Sequence, residues 1–134
     1  MPSVVLIRRY AFSSAHRLHS EALTPAENAR LYGKCNNEHG HGHNYAIEVA
    51  VTGPVDPRTG FCCDLPALDA AVRRAVLDRF DHQDLNALPE FARLVPTGEN
   101  IARLVWDKLK AEKLPLASVR LQETRDNFFE YRGE

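Results

Sequence analysis

The chain has 134 residues, 44% of them hydrophobic and 26% charged, with 17 Lys and Arg against 18 Asp and Glu. That is enough for one domain, spanning 1–134, with its own core and an ordinary globular composition. A net charge of −1 without charged runs argues against a nucleic-acid partner, three unevenly spaced cysteines against a disulfide framework, and the absence of a long apolar stretch against a membrane span.

The N-terminus, Met1-Pro2-Ser3-Val4-Val5-Leu6-Ile7, runs directly into Arg8 and Arg9. A secretory signal would place its positive charge first, so a cytoplasmic location is expected. Residues 3–16 read as a strand: Val4, Leu6, Tyr10, Phe12, Ser14 and His16 share one parity, Val5, Ile7, Arg9, Ala11 and Ala15 the other. His16 ends a row of aliphatic and aromatic side chains. Taken alone, a histidine there is more often a hydrogen-bonded structural residue than a ligand.

Thr24-Pro25-Ala26-Glu27 is a capping box with proline at the first helical position, predicting a short helix over 25–32 stopped by Gly33. Cys35 follows that helix end. The helix dipole there raises a thiol's pKa, so a reactive thiolate needs another stabilising group nearby.

From Gly33 to Tyr45 the chain concentrates its chemistry: Cys35, His39, His41 and His43 alternate with small and polar residues. His41 and His43, two residues apart, face the same side of an extended chain, and Tyr45, Ile47, Val49 and Val51 continue their row. Gly40 and Gly42 leave room for a close neighbour. Pro54 to Gly60 is a turn, and Phe61 to Cys63 is expected to return as the short arm of a hairpin. Cys62 and Cys63, being adjacent, are disfavoured as a disulfide and read as small apolar fillers.

Asp64 caps a helix with Pro66 in its first turn, an apolar face of Leu68, Val72, Ala75, Val76 and Leu77, and an end near Phe80. Asp81 to Asn86 reads as a polar loop. Thr97-Gly98-Glu99-Asn100 opens a second long helix with Ile101, Leu104, Val105 and Leu109 on its buried side. Leu116 to Thr124 is a strand placing Val119, Leu121 and Glu123 on one face, and Phe128 to Arg132 is the last strand. The pattern predicts an α+β domain: an antiparallel four-stranded sheet with two helices packed on one face. Open sheet edges point to association between copies.

Several readings of the site residues compete. His39 and His43 in an extended chain lie roughly 13 Å apart, so one ion on His39, His41 and His43 would need a sharp bend. A third ligand from a neighbouring strand is easier, and His16 ends one. Three imidazoles plus water make an open zinc site, although a bare His-x-His is also a common surface pair. His19 and His39 remain weaker candidates or supporting groups. Cys35 can be a fourth ligand, an inert thiol or a base paired with His82, itself held by Asp81; Asp81-His82 alone reads as an ordinary loop pair. Glu123 is either salt-bridged to an arginine or a two-oxygen acceptor for an amidine-like N–H edge, as a pterin or guanine presents. Glu99 complements a helix dipole.

With these residues in place, the chain resembles the 6-pyruvoyltetrahydropterin synthase family. The likeness is carried by Phe12-Ser13-Ser14-Ala15-His16-Arg17-Leu18, Cys35-Asn36-Asn37, His41-Gly42-His43-Asn44-Tyr45, Asp81-His82 with Leu85-Asn86, Pro96-Thr97-Gly98-Glu99-Asn100, Glu123-Thr124 and Tyr131-Arg132-Gly133-Glu134. It implies Zn²⁺ on His16, His41 and His43, with Cys35 as proton-abstracting base and Asp81 and His82 as its catalytic partners. It implies Glu123 as the pterin anchor, with Thr97 and Glu99 close by. The implied fold is the tunnelling fold, or T-fold, oligomerising into a barrel as a homohexamer of two trimers with active sites between subunits.

The implied reaction converts 7,8-dihydroneopterin triphosphate to 6-pyruvoyltetrahydropterin with elimination of triphosphate. The related 6-carboxy-5,6,7,8-tetrahydropterin synthases of queuosine biosynthesis are the alternative, and the five residues between Cys35 and His41 favour the pyruvoyl branch. His39 is an extra imidazole, and Gly98 stands where a hydroxyl residue is common. Two rivals are a non-catalytic zinc or pterin-binding module and a zinc hydrolase. The hydrolase lacks a His-Glu-x-x-His motif and should not depend on Cys35.

Overall fold

The computed structural model describes residues 2–134. Strand β1 (Ser3–His16) lies antiparallel to β2 (His41–Pro54) over their whole length, with Ser3 opposite Pro54 and His16 opposite His41. The remaining strands are β3 (Gln83–Asp84), β4 (Leu116–Gln122) and β5 (Phe128–Tyr131). The sheet order is β3-β1-β2-β4-β5. The sheet thus has five strands rather than four, and the added edge strand runs parallel to β1, pairing Ser14 with Gln83 and Ala15 with Asp84. A two-residue strand is too short for side-chain alternation to reveal, so Asp81 to Asn86 read as loop.

The capping box forms as expected and starts α1 (Pro25–Tyr32). Helix α2 starts on the Asp64 cap, runs over Leu65–Val72, continues through a π-helical turn at Arg73–Leu77 and ends at Phe80. Helix α3 (Gly98–Ala111) starts on Thr97, whose hydroxyl accepts from the Asn100 backbone N–H at 3.3 Å. Both long helices cover one face of the sheet. Phe12, Tyr45, Ile47, Val49, Val51, Val119 and Leu121 meet Leu68, Val72, Val76, Phe80, Ile101, Val105 and Leu109 in one buried cluster. The opposite sheet face is uncovered: Val5 and Ile7 are 50% and 61% exposed, and Arg9 bonds Glu48 and Gln122 across three strands.

Residues 61–63 do not form the expected return strand. The turn is closed by Asp56 N–H on the Phe61 carbonyl at 2.9 Å and by Gly60 N–H on the Asp56 carbonyl at 2.7 Å, without a ladder beyond it. Only three residues then separate Gly60 from the Asp64 cap, too few to build a ladder. The Cys62 carbonyl instead presses on Gly53, where a β-carbon would lie 2.6 Å from it. No helix among the described residues is long and apolar enough to cross a membrane.

One ion-pair cluster ties the helices together. Glu90 receives Arg79 and, at 3.1 Å, Lys108 of α3. The Arg79 hydrogen bonds, helped by Lys108 and opposed by burial, hold the Glu90 carboxyl down at about 2. A depressed carboxylate pKa contributes stability above the unfolded value and loses it as pH falls through the folded value. Glu90→Gln is therefore expected to cost about 2 kcal/mol at pH 7 and little near pH 2. Denaturant unfolding at the two pH values checks this, and equal costs would show that the ion pairs are not responsible.

Candidate metal centre and pterin site

The antiparallel register places His16 opposite His41 and Ser14 opposite His43, so three imidazoles project from the covered face at one end of the sheet. Their ring centroids form a near-equilateral triangle: His16–His41 4.8 Å, His16–His43 4.9 Å and His41–His43 4.7 Å. One ligand atom from each lies within 4.8 Å of the others. Gly40, at φ 74°, turns the chain into β2, and a β-carbon there would stand 3.1 Å from the His16 carbonyl oxygen. Only glycine takes that φ and that approach without strain.

His16 is fully buried. Its Nδ1 lies 2.9 Å from the Pro96 carbonyl oxygen and 3.2 Å from the Tyr45 hydroxyl. A carbonyl can only accept, so Nδ1 carries the proton and the lone pair sits on Nε2. That Nε2 is the one buried side-chain nitrogen or oxygen without a hydrogen-bond partner among the described residues. Burial, followed by the neighbouring imidazoles and opposed by the Pro96 bond, lowers the His16 pKa to about 4, so the ring is neutral at neutral pH. His41 Nε2 and His43 Nε2 approach each other at 2.9 Å. Neutral imidazoles converging with an orphaned lone pair are the donor set of a divalent metal such as zinc. His39 stays outside the triad, exposed on the turn with its backbone N–H on Asn37 Oδ1.

Cys35 lies in a 3₁₀ turn (Gly33–Asn36) held against the segment following His16. The Leu18 N–H donates to the Cys35 carbonyl at 2.7 Å, and the Asn36 amide donates to the Leu18 carbonyl at 2.8 Å. Burial, then the Glu123 charge, pushes the Cys35 thiol up. Glu123 is itself buried just beyond β4, and burial followed by the Glu99 charge raises its pKa, with His41 opposing. No lysine or arginine pairs with Glu123 among the described residues. The arginine salt bridge open to Glu123 on the sequence is therefore not formed. A buried carboxylate without a cation beside a metal-type cluster is a candidate ligand acceptor. Thr97 and the exposed Glu99 begin α3 beside it.

Asp81 and His82 are docked on the edge of β1. Ser13 N–H donates to Asp81 Oδ1 at 2.9 Å, and His82 N–H donates to the Ser13 carbonyl at 2.6 Å. His82 takes φ 58°, and its Nδ1 lies 3.0 Å from Asp81 Oδ2. The Ser13 bond, then the His82 interaction, lowers the Asp81 pKa. His82 lines an open cavity of about 490 Å³ together with Ser13, His43 and Asn44. Among the described residues no hydrogen bond joins Cys35 to Asp81 or His82, so within one chain the thiol and the Asp–His pair remain separate.

Sequence reasoning missed the groups that hold these side chains. Pro96 belonged to the motif at the start of α3, but nothing in its type marks its carbonyl as the His16 acceptor. Asn86, carried by the motif, brackets the residue after His16 by accepting from Arg17 N–H at 2.7 Å and donating to the Arg17 carbonyl at 2.9 Å.

The architecture defines an α+β domain of the T-fold class, with three histidines positioned to hold a metal ion. The family model of 6-pyruvoyl tetrahydropterin synthase matches residues 6–134. The chain is 44% identical to a 6-pyruvoyl tetrahydrobiopterin synthase of Drosophila melanogaster over 98% of its own length and 81% of that protein's. The solved structure of Caenorhabditis elegans 6-pyruvoyl tetrahydropterin synthase superposes with a TM-score of 0.94 at 42% identity, covering 100% of this chain and 98% of that one. A 6-carboxy-5,6,7,8-tetrahydropterin synthase of Haemophilus influenzae is more distant, 30% identical over 75% of this chain and 85% of that protein. The chain belongs to the 6-pyruvoyl tetrahydropterin synthase family and is an enzyme of that type, a lyase.

Proposed function

We propose that the chain converts 7,8-dihydroneopterin triphosphate to 6-pyruvoyltetrahydropterin, eliminating triphosphate. The observation that carries this reading is the orphaned His16 Nε2 converging with His41 and His43 beside a buried, cation-free Glu123. Relatives 42–44% identical that bear this activity's name support it. His16, His41 and His43 would hold Zn²⁺, whose Lewis acidity acidifies C–H and O–H groups beside the oxygens it polarises.

The chain's own groups supply the rest. Glu123 accepts paired N–H bonds from the 2-amino-4-oxo edge of the pterin, which fixes the ring and points its side chain toward the triad. Thr97 and Glu99 flank that edge. Cys35 removes a proton from the side chain, and His82, oriented by Asp81, returns one. Oxidation and reduction are internal to the substrate, so no redox cofactor enters. Because Cys35 and His82 are separate within one chain, the complete site forms between copies in a homo-oligomer, a hexamer of two trimers. A monomeric mass by light scattering would reject that assembly.

Incubation with zinc and dihydroneopterin triphosphate, followed by mass spectrometry of the products, tests the reaction. Triphosphate with 6-pyruvoyltetrahydropterin is the expected outcome. A 6-carboxy product would move the chain to the queuosine branch, and an unchanged substrate would leave a binding module.

A further inference from the structure

Two glycines of this chain serve as seats for aromatic rings, and both rings fasten α3 to the C-terminal segments. Gly133, at φ 83°, lies against Trp106, where a β-carbon would stand 2.6 Å from Cζ2, and Trp106 meets Tyr131 edge-on at 5.7 Å. Gly98, the first residue of α3, is buried beneath Phe129 of β5, and a β-carbon at Gly98 would overlap that ring. Gly98 has no positive φ, so conformation does not require glycine there; the ring does.

The Phe129 seat adjoins the two segments that carry the carboxylates of the candidate pterin site. Glu99 follows Gly98 directly. On the sheet side, Phe129 pairs with Leu121, two residues before Glu123, and the hairpin closes with Glu123 N–H on the Asn127 carbonyl at 3.1 Å. Alternation puts Leu121, Glu123 and Phe129 on the same face, toward α3. Glu99 and Glu123 are near enough for one charge to act on the other. The Phe129 ring packs on Gly98, next to Glu99, while its backbone pairs with Leu121, two residues before Glu123.

We propose that Phe129, seated on Gly98, is a positioning residue that sets the spacing between the start of α3, with Thr97 and Glu99, and the Glu123 hairpin, and so sets the fit of the pterin ring. The proposal rests on the pterin reading of the site. It gives a function to Gly98 and Phe129 as a size-matched pair rather than as separate packing residues. A methyl group at Gly98 would lift the ring and widen the gap, while removing the ring would let the gap close.

The test measures neopterin binding by fluorescence and steady-state turnover in the zinc-loaded protein. Gly98→Ala is expected to raise KM and the neopterin Kd by about tenfold, leaving kcat and bound zinc nearly unchanged. Phe129→Val alone is expected to weaken pterin binding in the same way, which keeps the test available if Gly98→Ala fails to fold. The double variant, with the methyl filling the space left by the ring, is expected to recover most of the lost affinity. A foldable single variant that binds neopterin as tightly as wild type overturns the proposal, as does a double variant no better than Phe129→Val. Wild-type protein that binds no neopterin overturns the pterin reading itself, and this proposal with it.

Discussion

Replacing His41 by alanine is expected to strip the protein of its bound metal and reduce turnover by about 10³-fold or more. His41 is half-buried, unlike His16, so the change removes an imidazole without hollowing the core. Two imidazoles remain, one of them His16 with its lone pair fixed by Pro96. Two neutral nitrogens hold a divalent ion far less tightly than three, because water must replace the third donor. Metal content by elemental analysis and triphosphate release measured together check this. A variant that keeps stoichiometric zinc and full turnover would remove His41 from the metal site.

The complementary result is expected at Cys35. Cys35→Ala should retain the metal and lose about 10² to 10⁴ in kcat, the usual contribution of a general base. In the single chain the thiol is pushed up by burial and by Glu123, the wrong direction for a base at neutral pH. It needs a stabilising neighbour, and on the proposed reading this is the Asp81–His82 pair of a second copy. Co-expression of Cys35→Ala with His82→Ala separates the arrangements. If each site takes Cys35 and His82 from different copies, random assortment restores about a quarter of the sites. If both come from one chain, mixing restores nothing. Full turnover in Cys35→Ala alone would reject the thiol as base.

Much of this site was legible because strand parity is a strong signal. His16, His41 and His43 each belong to an apolar row, and two rows of matching parity in adjacent antiparallel strands bring their ends together. Glu123 was legible for the same reason: a carboxylate at the end of a buried row needs an explanation. The capping box and Asp64 gave the helix starts correctly because those bonds are local. What escaped was held by backbone. The strand at Gln83–Asp84 depends on Ser13, some seventy positions earlier, and the His16 tautomer depends on a carbonyl that every residue possesses. The return strand at 61–63 failed because the short tether between Gly60 and Asp64 outweighed the β-propensity of its residues. The π turn at Arg73–Leu77 has no counterpart in the spacing of the apolar face.

The bond from His16 to the Pro96 carbonyl has a wider consequence. Pro96 immediately precedes the residue that caps α3, so the peptide that orients the His16 ring also adjoins the point where α3 begins. The two halves of the site are therefore not interchangeable modules. A redesign that shifts the start of α3 would also move the carbonyl that orients the His16 ring, so the two have to be altered together.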